Sequence, residues 1–189
     1  MNDLKTVAEV LRAHAEHGPR MRPADLSACW NRIGKLSRFG SGRIALQRDS
    51  QALAALLTQT KRDMAKLPAR QVANVAHGLA KVSQATGRGF GVDVWQAVEL
   101  RALQVVGEFN PQNLSNVAWA FATAGHDAPA LLDAIAAKAA PRVGDFTEQA
   151  LSNVAWAFAT ASHRAPALHD AIAAEAAPRV GEFNPQDLS

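Results

Sequence analysis

The chain has no tyrosine, a single cysteine and no long apolar run. Each absence narrows what it can be. Cys29 alone excludes an intramolecular disulfide, and such cysteine usage gives no sign of secretion. No uninterrupted apolar stretch nears the roughly 18 residues a membrane-spanning helix needs, so no membrane role is expected. The opening MNDLKTVAEVLRAHAEHG lacks an apolar core of signal-peptide type, and Asp3 and Glu9 argue against a transit peptide. That segment reads instead as an amphipathic helix. With aromatic residues scarce and alanine abundant, packing must come from closely approaching helices with small side chains.

The charge that is present is unevenly placed. Residues 1–90 carry 15 Lys and Arg against 6 Asp and Glu, while residues 91–189 carry 5 against 11. The balance therefore changes from +9 to −6 along the chain. Such polarity suits an elongated molecule whose basic end meets a polyanion, although solvated surface charge explains it equally well.

The most informative feature is repetition. Residues 109–145 read FNPQNLSNVAWAFATAGHDAPALLDAIAAKAAPRVGD, and residues 146–182 read FTEQALSNVAWAFATASHRAPALHDAIAAEAAPRVGE. These align without gaps at 29 identities over 37 positions. A period of this size signals stacked small units, none of which can bury its apolar face alone. Within a unit, Asn110 or Thr147 supplies a helix N-cap, and Pro111 occupies the first helical position. Leu114, Val117, Ala118 and Phe121, repeated as Leu151, Val154, Ala155 and Phe158, form a buried stripe at helical spacing. A second helix is expected from Pro129 or Pro166, stopped by Pro141 or Pro178.

The earlier chain follows the same plan less strictly, with MRPADLS at 21–27 matching FNPQNLS at 109–115. Leu26, Val72, Leu114 and Leu151 mark corresponding positions. The longer early units place their extra residues between helices, in SRFGSGRIALQRDS and QATGRGFGVD. The expectation is therefore an all-α chain, an α-solenoid of stacked antiparallel helical hairpins with a repeat of 37 residues. It divides into an N-terminal helix at 1–20, units at 21–66, 67–108, 109–145 and 146–182, and the start of another at 183–189. Residues 3–17 read as a second-type helix without its partner, and Leu188-Ser189 falls just inside a further first helix. A piece of a longer array, or an incomplete gene product, is expected.

Catalytic chemistry finds little purchase. GSG at 40–42 and GRGFG at 87–91 lack the strand-to-helix setting of a nucleotide-binding fingerprint and are expected to be loop turns. His14 and His17 have no companion ligand pair, His126 and His163 are one position inherited in two copies, and Cys29 reads as a packed residue. Neither catalysis nor a cofactor or metal is expected.

Binding is better represented. Asn116, Ala120 and Thr123 stand at i, i+4 and i+7, and Asn153, Ala157 and Thr160 repeat them. The aligned earlier residues are Asn74, Gly78 and Lys81, then Ala28, Arg32 and Lys35. Small groups permit close approach, amides can read base edges, and Lys or Arg can neutralise phosphate. The competing reading has the asparagines bonding across neighbouring hairpins. Arg38, Arg43, Arg48 and Arg88 are further backbone-contact candidates, and Gln112 and Gln149 lie near the helix starts. Trp119 and Trp156 either stack on bases or pack between units, and the second is the usual fate of a repeated aromatic.

The run LSNVAWAFATAG within a helix-pair unit resembles the octotricopeptide repeat and its heptatricopeptide relative, among organellar RNA-binding α-solenoids that include FAST-kinase-like and RAP-domain proteins. The resemblance implies a right-handed array that binds single-stranded RNA in transcript stability, processing or translation. It also implies a chloroplast or mitochondrial setting, with the cytoplasm left open. By the same resemblance, Asn74, Asn116 and Asn153, with Lys81, Thr123 and Thr160, would line the RNA path. The rival is a protein-interaction scaffold holding a protein or peptide.

Overall fold

The computed structural model of the protein describes residues 4–178; the fifth-unit start expected at 183–189 lies outside the described residues. Among the described residues there are ten α-helices and no strand. In order they are α1 (Val7–His17), α2 (Pro23–Leu36), α3 (Gly40–Arg48), α4 (Ser50–Asp63), α5 (Ala69–Thr86), α6 (Val92–Val105), α7 (Pro111–Ala124), α8 (Pro129–Ala139), α9 (Glu148–Thr160) and α10 (Pro166–Ala176). Short 3-10 turns follow α1, α4, α6 and α8.

Local chemistry sets these boundaries. Thr6 and Glu9 form a reciprocal capping box at the start of α1. Asn110 Oδ1 accepts from Asn113 N at 2.8 Å, and Thr147 Oγ1 accepts from Ala150 N at 3.2 Å, capping α7 and α9. Gly125 closes α7 at φ +63°, the left-handed conformation that a residue without a Cβ adopts freely. Ser162 holds the same position after α9 at φ +52°.

The helices pack on neighbours in sequence order. The most extensive contacts join α2 to α5, α5 to α7 and α7 to α9, making one row. Smaller contacts join α4 to α6, α6 to α8 and α8 to α10 in a second row, and α5–α6, α7–α8 and α9–α10 contacts tie the rows together. Leu26, Val72, Leu114 and Leu151 are all buried between them, as are Phe121 and Phe158. Burying a side chain of this size contributes about 1.5–3 kcal/mol. Repeated polar ties add direction. Arg101 Nε donates to the Leu67 carbonyl at 2.8 Å, and an Arg142 Nη donates to the Phe109 carbonyl at 3.2 Å.

The first long insertion is not a loop. SRFGSGRIALQRDS folds largely as α3, anchored by buried Ala45 and Leu46 against α1 and α4. Gly42 is buried inside this helix. A Cβ there would stand 2.2 Å from the Leu36 carbonyl oxygen, so glycine serves close approach to the end of α2 and not a phosphate-binding turn. At the same end of the molecule, His14 Nε2 and Gln59 Oε1 lie 2.9 Å apart, and Gln59 Nε2 donates to the Gly18 carbonyl at 2.7 Å. That buried chain fastens α1 to α4.

Candidate nucleic-acid interface

The row α2, α5, α7, α9 decides which side chains can meet a ligand. The inner helices α5 and α7 are flanked on both sides, leaving one stripe turned outward, and the same register is followed on α2 and α9. On α7 that stripe is Gln112, Asn116, Trp119 and Thr123, and on α9 it is Gln149, Asn153, Trp156 and Thr160. On α5 the same register gives Arg70, Asn74, His77 and Lys81, and on α2 it gives Ala24, Ala28, Asn31 and Lys35.

This register corrects the sequence column at its middle rung. Gly78, Ala120 and Ala157 are buried, not outward. They are the points of helix–helix contact: a Cβ on Gly78 would meet the Trp30 carbonyl oxygen at 2.6 Å. Small residues there admit the neighbouring helix, not a ligand. Arg32, which aligns with them, is likewise diverted. Its Nε donates to the Leu4 carbonyl at 2.5 Å, beside the start of α1.

The rung that replaces it is aromatic. Trp119 meets His77 edge to face at 5.2 Å between centroids and Trp156 at 6.4 Å with planes tilted 33°. A continuous ladder thus runs His77–Trp119–Trp156 across α5, α7 and α9. The indoles pack on each other between units, and Trp156 keeps 41% of its surface exposed. Trp119 and Trp156 sit one position before the small residues of the column, and His77 stands in the same register on α5. Its alignment with Trp119 was the available signal.

Beside the ladder the charges gather at one end. Burial lowers the Lys81 pKa, and the positive Lys35 and Arg38 lower it further. His77 is pushed down to about 4, first by burial and then by Lys81 and Lys35, so the ring is neutral at physiological pH. Lys35 and Arg38 are thus like-charged neighbours of Lys81 at this end of the ladder. Arg43, on α3, is tied to the adjoining backbone by an Nη hydrogen bond to the Arg38 carbonyl at 3.1 Å. Arg88 is apart from the ladder and lines a separate hollow of about 260 Å³ with Leu53, Leu57, Val82 and Phe90. Arg48 is paired with Asp49 at 3.1 Å.

At the other end the amides converge. Gln112 and Asn116 of α7, with Gln149 and Asn153 of α9, line a polar hollow of about 350 Å³ that Asp145 also borders. The side chains of Asn74, Asn116 and Asn153 bond to nothing among the described residues, so they do not form the cross-hairpin ladder. Thr160 is exposed, whereas the Thr123 hydroxyl is sealed from solvent and has no hydrogen-bond partner.

The inherited histidines have a structural task. His126 Nε2 lies 3.2 Å from Glu99 Oε2, and His163 Nε2 lies 2.8 Å from Asp133 Oδ1. Each links the loop after a first helix to the second helix of the preceding unit. Cys29 is wholly buried, and burial, with Asp25 nearby, pushes its thiol up to about 12. Such a thiol is a poor nucleophile. Among the described residues no helix is long and apolar enough to cross a membrane, and no three His, Cys, Asp or Glu side chains converge as a metal site. No protein-family model matches the chain.

Proposed function

We propose that this protein is an α-solenoid of stacked antiparallel hairpins that binds single-stranded RNA, without catalysis, along the outward stripe of its first helices. One observation carries the reading: cations at Lys35 and Lys81 adjoin an aromatic ladder at His77, Trp119 and Trp156, flanked by unbonded asparagine amides. Single-strand binding needs this combination, with basic groups for the backbone and flat rings for the bases. Asn74, Asn116 and Asn153 supply hydrogen-bonding edges next to each ring. The resemblance to octotricopeptide repeats points the same way and adds a setting, transcript stability, processing or translation in a chloroplast or mitochondrion.

Filter binding to random-sequence single-stranded RNA over a salt series tests the reading. Replacing Lys35 and Lys81 together by Ala should weaken binding and flatten the plot of log affinity against log salt by roughly 1.4, about 0.7 for each phosphate contact removed. No RNA binding at low salt, with a protein or peptide retained on the same face, would favour the scaffold reading instead.

A further inference from the structure

Three first helices end in a left-handed turn, and a basic side chain follows each. Gly87, Gly125 and Ser162 hold the turns at φ +66°, +63° and +52°, with Arg88, His126 and His163 next in sequence. At the two later joints that side chain meets a carboxylate on the second helix of the preceding unit: Glu99 of α6 for His126, at 3.2 Å, and Asp133 of α8 for His163, at 2.8 Å. The corresponding helix for Arg88 is α4, which has no acidic residue from Ser50 to Arg62. Asp49 and Asp63, on either side of that stretch, are paired with Arg48 and Arg62, and Asp93 is paired with Lys61. The Arg88 side chain is exposed and has no hydrogen-bond or ion-pair partner among the described residues.

Arg88 and α4 instead line the hollow of about 260 Å³, whose walls come from consecutive helices inside the array. Leu46 of α3, Leu53 and Leu57 of α4, Val82 of α5 and Phe90 make it largely apolar. The Phe90 ring is held edge-on against Trp30 at 5.7 Å between centroids. Thr86 Oγ1 donates to the Val82 carbonyl at 2.7 Å and accepts from Arg88 N at 3.4 Å, which fixes the loop to the end of α5. An apolar hollow with a few polar groups is the usual make-up of a small-ligand site. This one is smaller than the roughly 300–1,000 Å³ that drug-sized molecules occupy, so it suits a compact ligand.

We infer that this hollow binds a small carboxylic acid with an apolar body, its carboxylate meeting Arg88 as Glu99 and Asp133 meet the later histidines. The guanidinium offers two parallel N–H groups that match a carboxylate, and the leucines and Phe90 shed water onto the body of the ligand. Neither half suffices. A carboxylate without an apolar body meets only an exposed cation, an interaction worth little in water, and a neutral body leaves Arg88 unpaired. None of the outward-stripe residues Arg70, Asn74, His77 and Lys81 lines the hollow, so the inference stands independently of RNA binding.

The test is an NMR titration of the full chain with octanoate and 4-phenylbutyrate, and with octanamide as the uncharged counterpart. Saturable shifts are expected at the methyl groups of Leu53, Leu57 and Val82 and at the amides of Gly89 and Phe90. Octanamide should bind about tenfold more weakly than octanoate, and Arg88→Met, which keeps the apolar stem, should weaken octanoate by a similar factor. Ala54 lines the hollow from an exposed helix position, so Ala54→Trp should fill it and abolish the shifts while the circular dichroism spectrum stays unchanged. No saturable shift with either acid up to roughly 10 mM would overturn the site. Shifts that persist in Ala54→Trp would do the same. Octanoate affinity unaltered by Arg88→Met would overturn the role given to Arg88.

Discussion

Gly78 of α5 touches the backbone of Trp30 in α2 so closely that a Cβ would lie 2.6 Å from the Trp30 carbonyl oxygen. The corresponding positions at the next two joints are Ala120 and Ala157, which are fully buried but carry the extra carbon. The α2–α5 crossing is therefore the tightest of the three at this rung. Gly78→Ala should force the helices apart and cost about 1–3 kcal/mol, despite alanine's better helix propensity. Urea denaturation measures it. An unchanged or raised midpoint would contradict the contact.

Ser162 predicts a change of opposite sign. Its φ of +52° is a conformation that a residue with a Cβ enters at a cost, and Gly125 holds the equivalent place without that cost. Ser162→Gly should stabilise the protein by about 1 kcal/mol, read as a rise in the denaturation midpoint with no change in slope.

His77 gives a pH dependence. Its folded pKa, about 4, lies below the ordinary histidine value of 6.5, so the unfolded chain binds the proton more tightly. The stabilisation is complete above pH 6.5, declines as pH falls through the interval, and is lost below about 4. An NMR titration of the ring should show a midpoint near 4. Lys81→Met should raise it without restoring 6.5, because burial is the larger cause. If RNA phosphate sits at Lys35 and Lys81, bound RNA should raise the midpoint too.

Much of the helix plan is legible in the repeat because caps, stripes and stops recur at fixed offsets. Asn110 and Thr147 cap where their side chains predict, and Leu114 and Leu151 are buried as their spacing requires. The register of the outward stripe was harder. Positions 119 and 120 lie only about 100° apart on a helix, so spacing alone did not say which faces the neighbour and which faces out. Residue size misled as well, since Ala120 suited a ligand groove as well as a helix crossing. Segment 37–50 concealed α3 because glycines at 40 and 42 mimic a loop, and only tertiary contact with Leu36 explains Gly42. The bonds of His126 and His163 were invisible because their partners, Glu99 and Asp133, come from the preceding unit.

The most direct test of the RNA face is photo-crosslinking. RNA carrying 4-thiouridine would be irradiated in complex with the protein and the attached peptides identified by mass spectrometry. Crosslinks should concentrate at His77, Trp119 and Trp156 and their stripe neighbours on α5, α7 and α9, with Trp156→Ala weakening binding by about 1–3 kcal/mol. Crosslinks confined to the second helices α6, α8 and α10, with affinity untouched by Trp156→Ala, would contradict it.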